Sequence, residues 1–374
     1  MSKIIVLGAG LIGRTIAIDL HKRFDVTCAD IHLPSLNELS EKHNIKTTQS
    51  NFSDKETLKK LITPYELVVC AVPGFMGFET LKTIIEAGKN VVDISFFPEN
   101  ALELDALAKK NNVTAIVDCG VAPGLCNILA GHHNAQESLH FYECLVGGLP
   151  KVREWPYEYK AVFSPIDVIE EYTRPARYIE NSKLIIREAL SDAEYIHFDN
   201  VGTLESFNTD GLRSLADTMP HVPNMKEKTL RFPGHIALMK VLRETGFFGK
   251  EKIYLNGIQM APIDFTSKLL FPKWKLNKGE ADFTIMRVTL KNKKEEICYT
   301  LYDEMEKETQ TTSMARTTGY TCTAAVGLFM EKLFSRKGIC PPEYLGEDND
   351  SFQYVIKYLE ERNIHLKKEI TNAK

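Results

Sequence analysis

Lys3-Ile4-Ile5-Val6-Leu7-Gly8-Ala9-Gly10-Leu11-Ile12-Gly13 is the stretch that decides the fold of this chain. Its first five residues are a short, β-branched and nearly continuous apolar run, as a parallel strand covered on both faces requires. After the glycines, Leu11, Ile12, Ile16, Ala17 and Leu20 recur with helical spacing, and Arg14, Asp19 and His21 fill the polar positions. A G-x-G-x-x-G run alone is a weak signal, but here it stands between a strand and a helix, where its mechanism needs it. Gly8 permits the tight turn, Gly10 lets the backbone approach a pyrophosphate, and Gly13 lets the helix pack on the strand. The amides at the helix start, around Leu11 and Ile12, then hold the phosphates.

Working outward, Val26 to Ala29 predicts a second strand ending at Asp30, twenty residues after Gly10. A carboxylate there hydrogen-bonds the adenosine ribose and repels a 2′-phosphate. No Arg occurs in Ile31-His32-Leu33, so NAD is expected in preference to NADP. Further strands are expected at Leu67–Val72, Asn90–Ile94 and Thr114–Val117, with helices near 35–42, 78–87 and 99–110. Strand and helix alternate, which predicts an α/β fold with a Rossmann-type doubly wound parallel sheet. Ligands bind at the carboxyl ends of such strands, so Ala71, Val72 and Pro73 are expected along the nicotinamide half of the dinucleotide. Asn51 and Phe52 are candidates for the adenine side, with a plain loop as the alternative.

At 374 residues the chain exceeds the roughly 250–300 residues that one core usually serves. The pattern changes after about 125. Phe141–Val146, Lys183–Ile186 and Phe283–Leu290 read as strands joined by longer, Pro- and charge-rich connections, so 126–314 is expected to form a mixed α+β domain. The segment 314–334 reads as a long buried helix returning to the first domain, which is then 1–125 plus 315–374.

The balance of 46 basic and 50 acidic residues gives a net charge of −4, without the basic excess that tracks phosphates, so no nucleic-acid partner is expected. Eight cysteines show neither CxxC pairs nor zinc-site spacing, which predicts a reduced, cytoplasmic protein. No stretch reaches the ~18 apolar residues of a membrane span, so no membrane association is expected. His132 and His133 are neighbours on a predicted helix and face different ways, so no metal site is read there.

T-A-I-V-D-C-G-V-A-P-G-L at 114–125 and N-V-V-D-I-S-F at 90–96 resemble the saccharopine dehydrogenase family. So do F-S-P-I-D-V-I-E-E-Y-T-R-P-A at 163–176, S-F-N-T-D-G-L-R-S-L at 206–215 and T-L-R-F-P-G-H at 229–235. Within that family the segments are most similar to those of the lysine 6-dehydrogenases. The resemblance implies a substrate-binding and dimerisation domain over 126–314 and a homo-oligomer, a dimer or a multiple of one. It also implies NAD-dependent oxidative deamination of a basic amino acid, most simply L-lysine at its ε-amine, giving allysine semialdehyde and ammonia. One departure stands out. Saccharopine-forming reductases carry D-P-G-I-D-H where this chain has Ala122-Pro123-Gly124-Leu125-Cys126-Asn127, so two acidic positions are missing.

Taking a hydride from an amine carbon needs that carbon held against the nicotinamide and a base to neutralise the amine. Asp93 and Asp118 stand at or near the ends of successive predicted strands, and Asp118 with Cys119 is the first choice for contacting the amine. Ser95 and Phe96 follow Asp93 and are expected to touch substrate or nicotinamide. The alternative is that both acids only cap backbone amides at strand ends. Arg231 is expected to grip a substrate carboxylate bidentately, and His235, with a reference pKa near neutrality, is the expected titratable base. Tyr157, Tyr159 and Arg174 are candidates for lining the substrate cavity. Two other functions remain open: reductive condensation, as in saccharopine or carboxynorspermidine formation, and a non-catalytic NAD(H)-sensing protein.

Overall fold

The computed structural model describes residues 2–373, and their contacts fall into two units. One takes the chain up to Ser138 together with Ala315–His365, and the other takes Leu139–Met314 with the stretch from Leu366 on.

The first unit is built on β1 (Lys3–Leu7), β2 (Asp25–Asp30), β3 (Lys46–Gln49), β4 (Leu67–Cys70), β5 (Asn90–Asp93) and β6 (Thr114–Ile116). They run parallel in the order β3-β2-β1-β4-β5-β6, and Gly338–Cys340 pairs beyond β6. Ile4 to Leu7 and Leu67 to Cys70 are wholly buried, as expected where helices cover both faces of a parallel sheet. The strand order reverses between β1 and β4, and in such sheets the ligand crevice opens there, beyond the carboxyl ends. The loop after β1 enters α1 (Leu11–His21) at that position.

Two elements escape a reading of apolar runs. β3, Lys-Thr-Thr-Gln, is a polar edge strand, and the helix Lys55–Ile62 is short and charged, started by Asp54, whose side chain accepts from Glu56 N and Thr57 N. The strand expected to reach Val72 stops at Cys70, because Pro73 starts the helix Gly74–Glu86 and leaves Ala71 to Pro73 as the connection.

The second unit carries a nine-stranded mixed sheet. Its main path runs Glu194–Phe198, Gly202–Asn208, Asn224–Arg231, Phe141–Pro150, Asp282–Lys291, Glu295–Glu304 and Leu366–Asn372. The strands Ala176–Glu180 and Lys183–Arg187 form a hairpin attached to Asn224–Arg231. Among the described residues of this sheet, only the pairing of Asn224–Arg231 with Phe141–Pro150 is parallel. Side chains from the helices Pro165–Thr173, His235–Glu244 and Pro262–Trp274 share one buried cluster with the sheet, including Tyr172, Trp274, Phe207 and Leu230.

The division differs from the expected boundaries at two places. The helix Leu125–Gln136 groups with the first unit, and a Cβ at its Gly131 would lie 2.0 Å from the Glu343 carbonyl oxygen, so the two backbones are in contact. The last strand groups with the second unit because Leu366–Asn372 pairs along Glu295–Leu301. Its sequence, L-K-K-E-I-T-N, is too polar to announce a strand.

Candidate active site

In the first unit the glycine turn has the geometry its sequence requires. Gly8 has φ +113°, and a Cβ there would lie 2.4 Å from the Ala71 carbonyl oxygen. A Cβ at Gly13 would lie 2.1 Å from the Gly8 carbonyl oxygen. Around Gly10 nothing stands within 4 Å of that position, so the approach to the first amides of α1, at Leu11 and Ile12, is open. No side chain caps that helix start and its first turn holds no acid, so the residues present suit a diphosphate. Gly13→Ala should cost about 1–3 kcal/mol of stability through overpacking. It should also weaken dinucleotide affinity about tenfold, the equivalent of ~1.4 kcal/mol. Calorimetry with NAD and NADP checks this, and unchanged affinity for both would remove the loop from the site.

Asp30 closes the end of β2. Its Oδ2 accepts from Ala9 N at 2.6 Å and its Oδ1 from His32 N at 2.7 Å, which ties the carboxylate to the glycine loop. Each oxygen keeps a further lone pair for a ribose hydroxyl. Asn51 is exposed, and its Oδ1 accepts from Ser53 N at 3.0 Å in a local turn. Phe52 is half-buried against the core of this unit.

β4 and β5 are paired so that Cys70 stands opposite Asp93. Asp93 is fully buried; its Oδ2 accepts from Ser95 N at 3.1 Å, and its Oδ1 has no hydrogen-bond partner among the described residues. Burial pushes this carboxyl up to about 7, with the nearby Asp118 charge adding to the rise and hydrogen bonds from Cys70 and Ser95 opposing it. Ser95 Oγ lies 3.5 Å from Cys70 Sγ, and both are buried. Gly77 of the following helix has no room for a side chain, since a Cβ would meet Ser95 Cβ at 2.7 Å and Phe97 Cδ1 at 2.8 Å. Ser95 is thereby held in place. Phe96 is half-buried.

Asp118 follows β6, buried, at φ +51°. A non-glycine residue in that left-handed region signals a local backbone requirement. Cys119 N donates to the Asp93 carbonyl oxygen at 2.9 Å, so the backbones behind the two acids are joined. Cys119 is buried, and burial with the charges of Asp118 and Asp93 raises its thiol far above the ordinary range. It is therefore an uncharged thiol and not a thiolate nucleophile.

In the second unit Arg231 ends its strand almost wholly buried, 2% exposed. Its Nε donates to Tyr172 Oη at 3.1 Å, Nη1 to the Leu230 carbonyl oxygen at 3.0 Å, and Nη2 to Tyr159 Oη and to the Glu171 carboxylate. Four of five N–H donors are therefore held internally. A bidentate grip on a substrate carboxylate, expected from the sequence, would have to displace Glu171. The guanidinium also sits over the Tyr159 ring, 4.5 Å from its centroid.

His235 does not have the character the sequence suggested. Its Nδ1 is 2.8 Å from the Tyr157 carbonyl oxygen, so Nδ1 carries the proton and donates. Nε2, 3.0 Å from Tyr172 Oη, then accepts the tyrosine proton. A directed chain results, from Arg231 through Tyr172 and His235 to the Tyr157 carbonyl. Burial, then the Arg231 charge, lower the imidazole to about 3, so it is neutral near pH 7 and too weak a base for the role expected of it. Tyr157 and Tyr159 both pack edge-on to Trp274, at 6.0 and 5.7 Å between ring centroids. Arg174, which caps the helix Pro165–Thr173, is half-buried and pairs with Glu170 at 3.9 Å.

Comparison with known proteins adds family membership. Residues 4–116 match the saccharopine dehydrogenase NADP binding domain and residues 120–364 the saccharopine dehydrogenase C-terminal domain. The chain belongs to the saccharopine dehydrogenase family. Mitochondrial alpha-aminoadipic semialdehyde synthase of Bos taurus is 23% identical over 269 residues, 67% of this chain and 29% of that protein. Saccharopine dehydrogenase [NADP(+), L-glutamate-forming] of Pyricularia oryzae is 25% identical over 263 residues, 67% of this chain and 58% of that protein. This chain thus spans less than a third of the bovine protein. Apo saccharopine dehydrogenase (L-Glu forming) from Saccharomyces cerevisiae shares the fold, with a TM-score of 0.77, 18% identity, and coverage of 99% of this chain and 100% of that one.

In this member of the saccharopine dehydrogenase family, the segment that lacks two acidic positions is tightly closed. Gly124 has φ +136°, and its N donates to Asn127 Oδ1 at 3.0 Å. Asn127 Nδ2 in turn donates to the buried Glu343 at 3.2 Å. Four residues next to the candidate residues were missed from sequence: Cys70, opposite Asp93 in the first unit, and Glu171, Tyr172 and Trp274, in the second unit with Arg231. Glu171 and Tyr172 lie inside the quoted segment 163–176, from which only Arg174 had been drawn. Cys70 follows from its register opposite Asp93. Trp274 gives no local signal.

Proposed function

We propose that this protein is an NAD-dependent dehydrogenase of CH–NH2 or CH–NH groups that oxidatively deaminates a basic amino acid, L-lysine at its ε-amine, releasing allysine semialdehyde and ammonia. The observation that carries this reading is the Asp93 carboxylate, buried at the end of a sheet strand with one oxygen unpartnered among the described residues. When bound, a nicotinamide would accept the hydride from the amine carbon, and water adding to the resulting iminium would give the aldehyde as the C–N bond breaks and ammonia leaves. The chain's own residues handle the proton and the orientation. The amine must be neutral before the hydride leaves, and a base works best when its pKa is near the working pH. Asp93, at about 7, meets that condition, and His235, at about 3, does not. Asp118, Cys119, Ser95 and Phe96 are assigned to contacts around the amine. Arg231, Tyr157, Tyr159 and Arg174 are assigned to the rest of the substrate, with His235 and Tyr172 fixing Arg231. Eight free thiols fit a reducing, cytoplasmic setting.

NAD is proposed over NADP on the Asp30 carboxylate and the absence of Arg from 31–33, although the matching family model is named for NADP and the Pyricularia oryzae relative for NADP(+). Asp30→Ala should weaken NAD binding and relax selection against NADP. Titration of both nucleotides checks this, and an unchanged affinity ratio would take Asp30 out of the ribose site.

The relatives named L-glutamate-forming saccharopine dehydrogenases favour a second reading, in which a secondary amine joins an amino acid to a carbonyl compound. The two acidic positions missing at Ala122 and Cys126 argue against saccharopine itself. Incubation with NAD and lysine alone separates the readings. NADH and ammonia formed without a keto acid support deamination, whereas strict dependence on a second carbonyl substrate supports condensation. Nucleotide binding without turnover of any amine would leave a sensing protein.

A further inference from the structure

Asp93 lies at the carboxyl end of β5 with none of its surface exposed. A general base acts within hydrogen-bond reach of the proton or through one intermediary, so a base sealed in this way takes its proton from a neighbour. The groups that face it are Cys70 on β4, Ser95 on its own loop, Asp118 and Cys119 after β6, and Cys322 of the helix Ser313–Met330. All belong to the first unit. Burial holds the three thiols above their ordinary range, so they stay protonated, and sulfur is a weak acceptor. Asp118 adds its charge, and an ionised carboxylate accepts without having a hydrogen to give. The Ser95 hydroxyl has both things a carrier needs, a lone pair to receive one proton and a hydrogen to hand on.

The backbone folds Ser95 back onto the carboxylate. Ile94 N donates to the Cys70 carbonyl oxygen at 3.0 Å, which carries the strand pairing one residue beyond Asp93. Ser95 N then donates to Asp93 Oδ2 at 3.1 Å, a turn in which an Asp side chain binds the backbone two residues on. Asp93 Oδ1 is left with no hydrogen-bond partner among the described residues. On its other side Ser95 meets Gly77, where a Cβ would stand 2.7 Å from Ser95 Cβ and 3.4 Å from Ser95 Oγ, so the helix Gly74–Glu86 lies directly against it. Cys70 Sγ is 3.5 Å from Ser95 Oγ. Oxygen is the better acceptor, so the thiol donates, which leaves the hydroxyl hydrogen for Asp93. Thiol and hydroxyl both favour the charged form of that carboxyl.

We infer that Ser95 is a further catalytic residue, the relay through which the ammonium proton of the substrate reaches Asp93, and that Cys70 is the positioning residue that aims its hydroxyl. The inference rests on Asp93 being the base. In the step an ammonium N–H bond breaks and an O–H bond forms on Ser95, while the original Ser95 O–H bond breaks and an O–H bond forms on Asp93. The nitrogen keeps the electron pair and Ser95 ends as the neutral hydroxyl it was. One proton has moved from substrate to Asp93.

The test compares the full chain with Ser95→Ala, Cys70→Ala, Cys70→Ser and Asp93→Asn, by turnover of L-lysine with NAD against pH and by infrared titration of the Asp93 carboxyl band, assigned by its absence from Asp93→Asn. Ser95→Ala removes one oxygen and adds no atom beside Gly77, so its melting temperature should stay close to the parent's. Its plateau turnover should fall about 100-fold, with KM for lysine and NAD affinity nearly unchanged. Cys70→Ala should lose about tenfold, the worth of one neutral hydrogen bond, and Cys70→Ser, which keeps a donor, should recover it. Because each alanine removes a donor to the charged form, the Asp93 band should titrate higher in both, by about one unit. A Ser95 that only supports the fold would move KM and melting temperature together and leave the band in place. Parent turnover in Ser95→Ala, or an Asp93 band that titrates alike in the parent and both alanine variants, overturns the relay even where Asp93→Asn is inactive. Full lysine turnover in Asp93→Asn, or none in the parent, overturns the reading of Asp93 as the base, and the relay with it.

Discussion

Asp93→Asn should lower turnover with the amine substrate by about 10²–10⁴-fold, the contribution of a positioned general base, and leave dinucleotide affinity nearly unchanged. The amide keeps the shape and can still accept from Ser95 N through its oxygen, so the loop after β5 is retained. What is lost is the ability to take a proton. Because burial holds the Asp93 carboxyl up to about 7, parent turnover should rise with pH to a plateau above that value, and the variant should lack this limb. Stability moves the opposite way. Between the ordinary carboxyl value near 4 and about 7, the folded chain holds a proton that the unfolded chain has released. Folding is therefore progressively destabilised as pH rises through that window. Asp93→Asn has nothing to ionise, so it should melt higher than the parent at pH 8, with the difference vanishing by pH 4. Full activity in a variant that shows only the stability change would reduce Asp93 to a buried structural acid.

How much of this was legible in the sequence follows from how local each cause is. The glycine turn, the apolar parallel strands and Asp30 are local: a backbone approach, a two-sided burial and a strand end each leave a mark within a few residues. β3 and Leu366–Asn372 were hidden because edge strands face water and carry Lys, Thr and Glu instead of an apolar run. Asp93 was found by position, but its raised carboxyl comes from complete burial and from Asp118, 25 residues on. His235 shows the limit most clearly. Its residue type predicts a near-neutral base, yet Arg231 and Tyr172, brought to it by a strand and a helix from distant parts of the chain, fix it as a neutral hydrogen-bond link. Arg231 was likewise read as a free guanidinium because nothing in T-L-R-F-P-G-H reveals that Glu171, sixty residues earlier, is its partner.

Arg231→Ala should lower the stability of the second unit by about 3–5 kcal/mol, because it strands the Glu171 carboxylate, 15% exposed, without its cation. For a unit of this size that corresponds to a fall of roughly 10 °C in melting temperature. Glu171→Ala should cost less, since Tyr172, Tyr159 and the Leu230 carbonyl still accept from the guanidinium. Replacing both partners with apolar residues of similar volume, Arg231→Met with Glu171→Leu, should recover most of the loss, as buried pairs commonly tolerate joint removal better than the loss of one member. This stabilised double variant is the one on which substrate binding can be read without an unfolding artefact. One Nη1 hydrogen is left once the four internal bonds are counted, enough for a single charge-assisted bond to a substrate oxygen, worth about 1.5–3 kcal/mol. Its loss should raise KM for the amino acid about 10–100-fold, with kcat falling less and NAD affinity unchanged. A double variant with the parent KM would show that Arg231 serves only to hold Tyr172 and Tyr159 in place.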